Sequence, residues 1–398
     1  MDFALPPETE ALRRRFRDFV RGEILPHDTR PASFDAHGNI AEGLLQELRG
    51  KARAAGLWAP QMPKARGGLG LDVASMAACY EEANYSLFGP AVFNCAAPDD
   101  GNMILMEKIG TEAQKTRWLQ PVVDGKVRSA FAMTEPHPGG GSDPSMIRTT
   151  ATKHGDKWVI EGRKWFITGA ELAEHFIVVA KTSDDPRKGL TAFLHYRDQP
   201  GWKILRRIPI MGPEEHGGHC ELEYEGLEVP DDQRLLKVGD GLKVTQIRLG
   251  TARLTHCMRW LGLAKRCMDI AALYVTERHS QGHPLAEREG VQQMLGDAAM
   301  QIEVGRLLTM KAATLLDKGD FARKEISMAK IQVADTLHKA ADTAIQLCGA
   351  KGYSGDTPLE WIYRYARQAR LVDGASEVHR QVLSRFFLEE HGDFWRWS

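Results

Sequence analysis

Between about residues 127 and 232 the chain alternates short runs of β-branched and aromatic residues with glycine turns, and on either side it keeps helical spacing. This helix–strand–helix order constrains the fold more tightly than any other feature. Residues 129–133, 149–153, 158–160, 164–168, 176–180, 190–195 and 221–224 each read as a strand, with Gly155-Asp156 and Glu161-Gly162 as turns. No crossover helices separate them. Parallel strands need such connections, so the expected sheet is antiparallel, a sandwich or barrel and not a doubly wound unit.

The flanks read as helix. Leu12, Phe16, Phe19 and Val20 share a helical face that Pro26 ends, and Leu44, Leu45 and Leu48 begin another. Gly67-Gly68-Leu69-Gly70 interrupts before a helix over 74–82, and Thr111-Glu112-Ala113-Gln114 has the capping-box form. Beyond residue 240, Leu261, Ala264, Met268, Ala271, Ala272 and Val275 make one apolar face, and Met294, Ala298, Ile302 and Leu307 another, as in a four-helix bundle. The expectation is an α+β chain. It comprises an N-terminal helical domain (1–126), a middle antiparallel β-domain (127–238) and a C-terminal four-helix bundle (239–398).

Charge and cysteine usage exclude several function classes. A net charge of −1 supplies no basic field for nucleic acid or an anionic membrane. Six cysteines without C-x-x-C spacing point to reduced thiols, not a disulfide frame or zinc ribbon. Arg13, Arg14, Arg15, Arg17 and Arg21 alternate with Glu8, Glu10, Asp18 and Glu23, which reads as a solvated helix face rather than a presequence. A cytoplasmic protein is the simplest expectation. His216, His219 and Cys220 lack a fourth ligand, so no metal is expected. The tail Phe394-Trp395-Arg396-Trp397 is expected to pack on a neighbouring subunit.

Two stretches near the C-terminus carry candidate chemistry. Gln346-Leu347-Cys348-Gly349-Ala350-Lys351-Gly352-Tyr353 is helical up to Cys348 and then breaks at glycines that let backbone approach a ligand. After Pro358 an apolar stripe resumes through Trp361, Ile362, Tyr365 and Leu371, and stops at Asp373-Gly374. Taken alone, an acid beside glycine at a helix break reads first as a cap and second as an acid–base carboxylate.

With these blocks in order, the chain resembles the acyl-CoA dehydrogenase flavoprotein family along nearly its whole length. Met133-Thr134-Glu135-Pro136 through Gly141-Ser142-Asp143 resembles the family's first signature, and Lys164-Trp165-Phe166-Ile167-Thr168-Gly169 its flavin-facing strand. Glu277-Arg278 through Gly282-His283-Pro284 resembles its FAD loop. Residues 346–353 and 367–377 resemble its second signature. Gly217-Gly218-His219 and Arg253-Leu254-Thr255-His256-Cys257-Met258-Arg259 look like a branch whose vertebrate members carry a fused kinase-like domain, which these 398 residues do not include. In that branch Asp stands where most relatives have Glu.

The resemblance implies FAD-dependent removal of two hydrogens from Cα and Cβ of an acyl-CoA, giving the trans-2-enoyl thioester, with electrons passed to an electron-transferring flavoprotein. It implies Asp373 as base, held in a dry pocket that raises its pKa, with Glu377 turned to an Arg. For the cofactor it implies Phe131, Met133, Thr134, Ser142, Phe166, Thr168 and Arg278. Gln346, Gly349 and Ala350 would meet the FAD of a neighbouring subunit in a homodimer or homotetramer. Ser142, Arg253 and Gly374 are implied in substrate binding. The loop His137-Pro138-Gly139-Gly140 is longer than the family pattern, Gln281 replaces a common Phe, and the helical base positions of some relatives are Thr251 and Ala252 here. On residues alone, Phe131, Met133 and Phe166 read equally as sandwich core. Two other functions compete: a flavin-dependent oxidase resembling nitroalkane oxidases, some of which use Asp, and a flavin-containing DNA-binding relative, which the balanced charge disfavours.

Overall fold

The computed structural model describes residues 4–141 and 143–396. The first part is helical, with α1 (Pro7–Phe19), α2 (Glu42–Ala54), α3 (Val73–Ala83) and α4 (Asp99–Ile109) as its longer elements. Asp72 caps α3 by accepting from the Ser75 amide, and Thr111 and Gln114 form the reciprocal capping box read from the sequence.

Eight strands follow: β1 (Arg128–Ala132), β2 (Thr150–His154), β3 (Lys157–Thr168), β4 (Ala173–Lys181), β5 (Leu190–Tyr196), β6 (Trp202–Arg207), β7 (His219–Pro230) and β8 (Arg234–Leu235). They lie in the order β6-β7-β3-β2-β4-β5-β8, with β1 also paired to β4. Two expectations change here. Glu161-Gly162 is not a turn. It follows a register shift between Ile160 and Glu161 inside the continuous strand β3, where Gly162 has φ +142° and its α-carbon faces Thr149 so closely that a Cβ would lie 2.7 Å away. The sheet is also not wholly antiparallel, because β1 runs parallel to β4 and Thr150 of β2 pairs in parallel with Lys181. The crossover that a parallel pair needs is supplied by a glycine-rich loop and the β2–β3 hairpin instead of a helix.

Successive residues of β4 face opposite sides, as the pleat demands. Phe176, Val178 and Ala180 enter a core inside the sheet, while Ile177 and Val179 pack with Met103, Met106, Leu119 and Val122 of the N-terminal helices. The last part is α5 (Gly241–Glu277), α6 (Glu289–Asp317), α7 (Arg323–Cys348), α8 (Leu359–Gln368) and α9 (Ser376–Glu390). Phe16, Tyr80 and Phe93 share one apolar core with Leu254, Trp260, Val333 and Leu337, so the two helical parts form a single packed body. In α5 every residue from Leu254 to Ala264 is buried. Polar side chains on such a helix have no water to turn to and must find partners inside. Among the described residues no helix is long and apolar enough to cross a membrane.

Candidate active site

A cavity of about 570 Å³ opens between the sheet and the C-terminal helices. One wall comes from the ends of β1 and β3. Past β1, Glu135 accepts from the amides of Arg148 (2.7 Å) and Thr149 (3.0 Å) and pairs with Lys164 Nζ at 2.8 Å. Lys164 also donates to Met133 O at 2.9 Å, so this one buried pair pins the β1 exit to β3. Burial pulls the Lys164 pKa down to about 8, with Glu135 opposing. Burial raises the Glu135 pKa, but Lys164 and the two partners at Thr149 and Arg148 outweigh it. The pinned strands present Phe131, Met133, Thr134, Phe166 and Thr168 to the cavity. Phe166 is 43% exposed there and adopts φ +52°, a backbone state uncommon for a bulky residue. Thr134 Oγ1 donates to Trp165 O at 2.6 Å, so toward a ligand it offers only lone pairs. Thr168 Oγ1 lies 3.1 Å from His219 Nδ1.

The opposite wall is charged. After α8 the chain turns through 369–374, where Asp373 takes φ +51° and Gly374 φ +99°. The turn is held by its carbonyls: Arg253 Nε donates to Asp373 O at 2.7 Å, and the fully buried Lys330 Nζ donates to Ala369 O at 2.7 Å. The Asp373 carboxylate, 17% exposed, lies 3.6 Å from Arg248 Nη1 and 3.2 Å from His256 Nε2. The His256 approach is close but oblique, and Oδ2 receives no hydrogen bond of good geometry. Burial pushes the Asp373 pKa up. The facing His256, then Arg248 and Arg253, overcome that and hold it well below the usual carboxylate range. This reverses the sequence expectation of a raised pKa, because the pocket is dry but not uncharged. His256, Arg248 and Arg253 account for the difference.

The other implied residues divide by location. Arg253 and Gly374 line this cavity with Asp373. Arg278, Gln346, Gly349 and Ala350 are exposed and do not. Arg278 caps the end of α5. Lys351 beside the Gln346–Ala350 turn sits 5.8 Å over Tyr274, so both features share one end of the bundle, outside the cavity of their own chain. Ser142 lies outside the described residues. Glu377 faces Arg380 at 3.5 Å. Phe394 packs within its own chain, on Phe387 at 5.3 Å and under Lys324 at 4.8 Å, while Trp397 lies outside the described residues. Among the described residues no three His, Cys, Asp or Glu side chains converge as for a metal. Arg248 and His256 had no part in the sequence reading as facing the base. Their spacing of two helical turns on α5, with Ala252 between, is the signal that places them on one face.

The chain matches the models of three domains described as acyl-CoA dehydrogenase N-terminal (residues 6–126), middle (130–227) and C-terminal (239–388) domains. It is 37% identical over 396 residues to a probable acyl-CoA dehydrogenase FadE2 of Mycobacterium tuberculosis, covering 97% of this chain and 96% of that protein. It is 35% identical to acyl-CoA dehydrogenase family member 11 of Gallus gallus, where 94% of this chain matches half of the relative's length. A solved structure of a putative acyl-CoA dehydrogenase from Mycobacterium abscessus superposes with a TM-score of 0.90 at 34% identity, covering 98% of this chain and all of that one.

Proposed function

The chain belongs to the acyl-CoA dehydrogenase family of FAD-dependent oxidoreductases acting on CH–CH groups, and from that premise we propose that it converts an acyl-CoA to the trans-2-enoyl-CoA with Asp373 as base. One observation carries the reading: the Asp373 carboxylate opens onto the same cavity as the aromatic wall of Phe131 and Phe166. That wall fits FAD. Phe166 gives a planar ring an exposed face, and Thr134 and Thr168 give polar edges. Arg367 on the cavity rim carries a buried Nη1 without a hydrogen-bond partner among the described residues, which suits an anionic group. When bound, FAD supplies the hydride acceptor.

The protein's own part is proton removal and charge stabilisation. Asp373 takes the α-proton in ionised form. A carboxylate held this low is a weak base, so the substrate must be made acidic in the site. Arg248 and Arg253 flank Asp373, and fixed cations in a dry pocket stabilise enolate charge that develops next to them. The Asp373 amide enters no backbone hydrogen bond among the described residues and remains a donor for the thioester oxygen.

Electrons then pass to an electron-transferring flavoprotein. The exposed Arg278 and the Gln346–Ala350 turn suit a second subunit's FAD, which makes the working protein a homodimer or homotetramer. Six free, buried cysteines suit the cytoplasm.

Anaerobic titration of the FAD-loaded protein with short, medium, long and branched acyl-CoAs tests the reading. Bleaching of oxidised-flavin absorbance by one class is the expected result, and a yellow protein that no thioester bleaches would sink it. The oxidase alternative draws on the same low pKa, since a weak base suits a more acidic C–H. Rapid oxygen consumption without an added acceptor is its mark.

A further inference from the structure

Asp373 does not stand alone in its pocket. His256, 8% exposed, projects from α5 on the same side as Arg248, and its Nε2 lies 3.2 Å from Asp373 Oδ2. Its other nitrogen, Nδ1, lies 3.3 Å from Arg259 Nη2. A guanidinium has only donors, so Nδ1 is the bare nitrogen and the ring proton, assigned from this network, sits on Nε2 facing the carboxylate. Arg259 is itself fixed by the buried Asp100 and by Cys95 O at 3.0 Å. Trp260 stacks on the imidazole at 4.9 Å and 23° between planes. A continuous buried chain, Asp100–Arg259–His256–Asp373, therefore links α4 to the turn carrying the base.

We infer that His256 is a positioning residue for the dehydrogenation: its Nε2–H, 3.2 Å from Oδ2 but oblique to it, straightens onto the short Asp373 carboxylate when an acyl group fills the cavity and so orients it toward the substrate's α-carbon, and Arg259 locks the tautomer that makes this possible. The inference rests on the reading of Asp373 as base. An aspartate reaches about 1.5 Å less far than the glutamate most relatives carry, and an error near 1 Å can cost on the order of 100-fold in rate. A second anchor on the carboxylate removes that freedom. His256 cannot itself take the substrate's proton, because Nε2 already carries one and Nδ1 accepts from Arg259.

Other charged or titratable groups surround the pair. Arg248, Arg253 and Arg259 come from α5, Asp100 from α4, Arg323 and Lys330 from α7, Tyr365 from α8 and His379 from α9. Glu215 and His219 line the small cavity that His256 shares with Asp373. None of these changes when only residue 256 is replaced, so a difference between variants at that position reports on the anchor.

The test is rapid anaerobic flavin bleaching across pH, comparing wild type with His256→Leu, His256→Gln and His256→Asn, all loaded with FAD. Leu removes the donor, Gln places an amide N–H near the Nε2 position, and Asn falls one methylene short. In His256→Leu the limiting bleaching rate is expected to fall on the order of 100-fold, with little change in half-saturating substrate. Its acid limb should move to higher pH, because a donor favouring the ionised carboxylate is gone. Gln should recover most of the rate and Asn should not. If Leu does not retain FAD, the Gln–Asn difference decides. Equal rates and pH profiles for wild type and Leu, or for Gln and Asn, overturn the inference while leaving Asp373 as base. A wild type that no acyl-CoA bleaches overturns both.

Discussion

The two walls of the cavity bury polar groups in opposite ways. The sheet wall is neutral where it meets the cavity and keeps a buried ion pair, Glu135–Lys164, behind the surface as a pin. The helical wall puts its charges at the surface: Asp373 lies among Arg248, Arg253 and His256. A wall that must hold a planar ring profits from a rigid, uncharged face. A wall that must take a proton and steady an anion needs charge in a low-dielectric place, where each charge counts for more than in water. The chain meets both needs by drawing one wall from strands, whose backbone is already satisfied, and the other from a turn whose carbonyls are tied to Arg253 and Lys330.

The largest effect belongs to the charged wall. Asp373→Asn keeps the shape of the turn and removes the base, so the bleaching rate should fall by about 10²–10⁴-fold, while FAD content stays near wild type. A variant that still bleaches at the wild-type rate would remove proton chemistry from this wall.

The pin of the neutral wall makes a different prediction. Lys164→Met leaves Glu135 buried without its cation, and breaking such a pair costs about 3–5 kcal/mol. Chemical denaturation should report that loss directly. Activity of the fraction that remains folded and FAD-loaded should change far less, because neither member touches the reacting atoms. A rate loss as deep as that of Asp373→Asn would erase the distinction between the walls.

The same contrast explains what was legible in the sequence. Alternation along a strand is a local property, so periodicity put Phe131, Met133, Phe166 and Thr168 on strands, but it left the three apolar ones equally readable as sandwich core, and only the family resemblance turned them toward a flavin. The capping box at Thr111 and the helix end at Cys348 were equally local. The partners of Asp373 were not: Arg248, Arg253 and His256 lie more than a hundred residues earlier, and only packing of α5 against the 369–374 turn brings them together. The raised pKa expected for Asp373 differs from the lowered one for that reason: the resemblance implied a dry pocket, and the distant cations that oppose burial are not readable beside Asp373 in the sequence. The parallel β1–β4 pair was hidden too, since its crossover is a hairpin and not a helix.

The sheet interior refuses charge as well, with a smaller effect on stability. His195 is wholly buried, stacked on Phe176 at 4.8 Å, and sits 3.1 Å from Tyr196 O and 3.2 Å from Tyr224 Oη. The carbonyl can only accept, so Nδ1 carries the proton, Nε2 accepts from the tyrosine, and the ring is neutral. Burial lowers its pKa from 6.5 to about 3, against a small opposing effect of the Tyr196 carbonyl. The folded value lies below the unfolded one, so between these pH values the unfolded chain binds a proton that the folded chain does not. Stability is therefore expected to fall as pH drops below 6.5, by at most about 1.4 kcal/mol per pH unit from this group. His216 and His379, both lowered to about 4 mainly by burial, add slope in the same direction. Asp373 behaves otherwise: its depressed pKa adds stability that is fully present above the ordinary carboxylate range and is lost only in stronger acid. Urea midpoints of wild type and His195→Gln at pH 7.5 and 5.5 separate these contributions. The variant should start less stable and lose less on acidification. Equal losses in the two proteins would mean that the sheet interior admits a charged imidazole, and that the two walls are less different in their tolerance of charge than their cavity faces indicate.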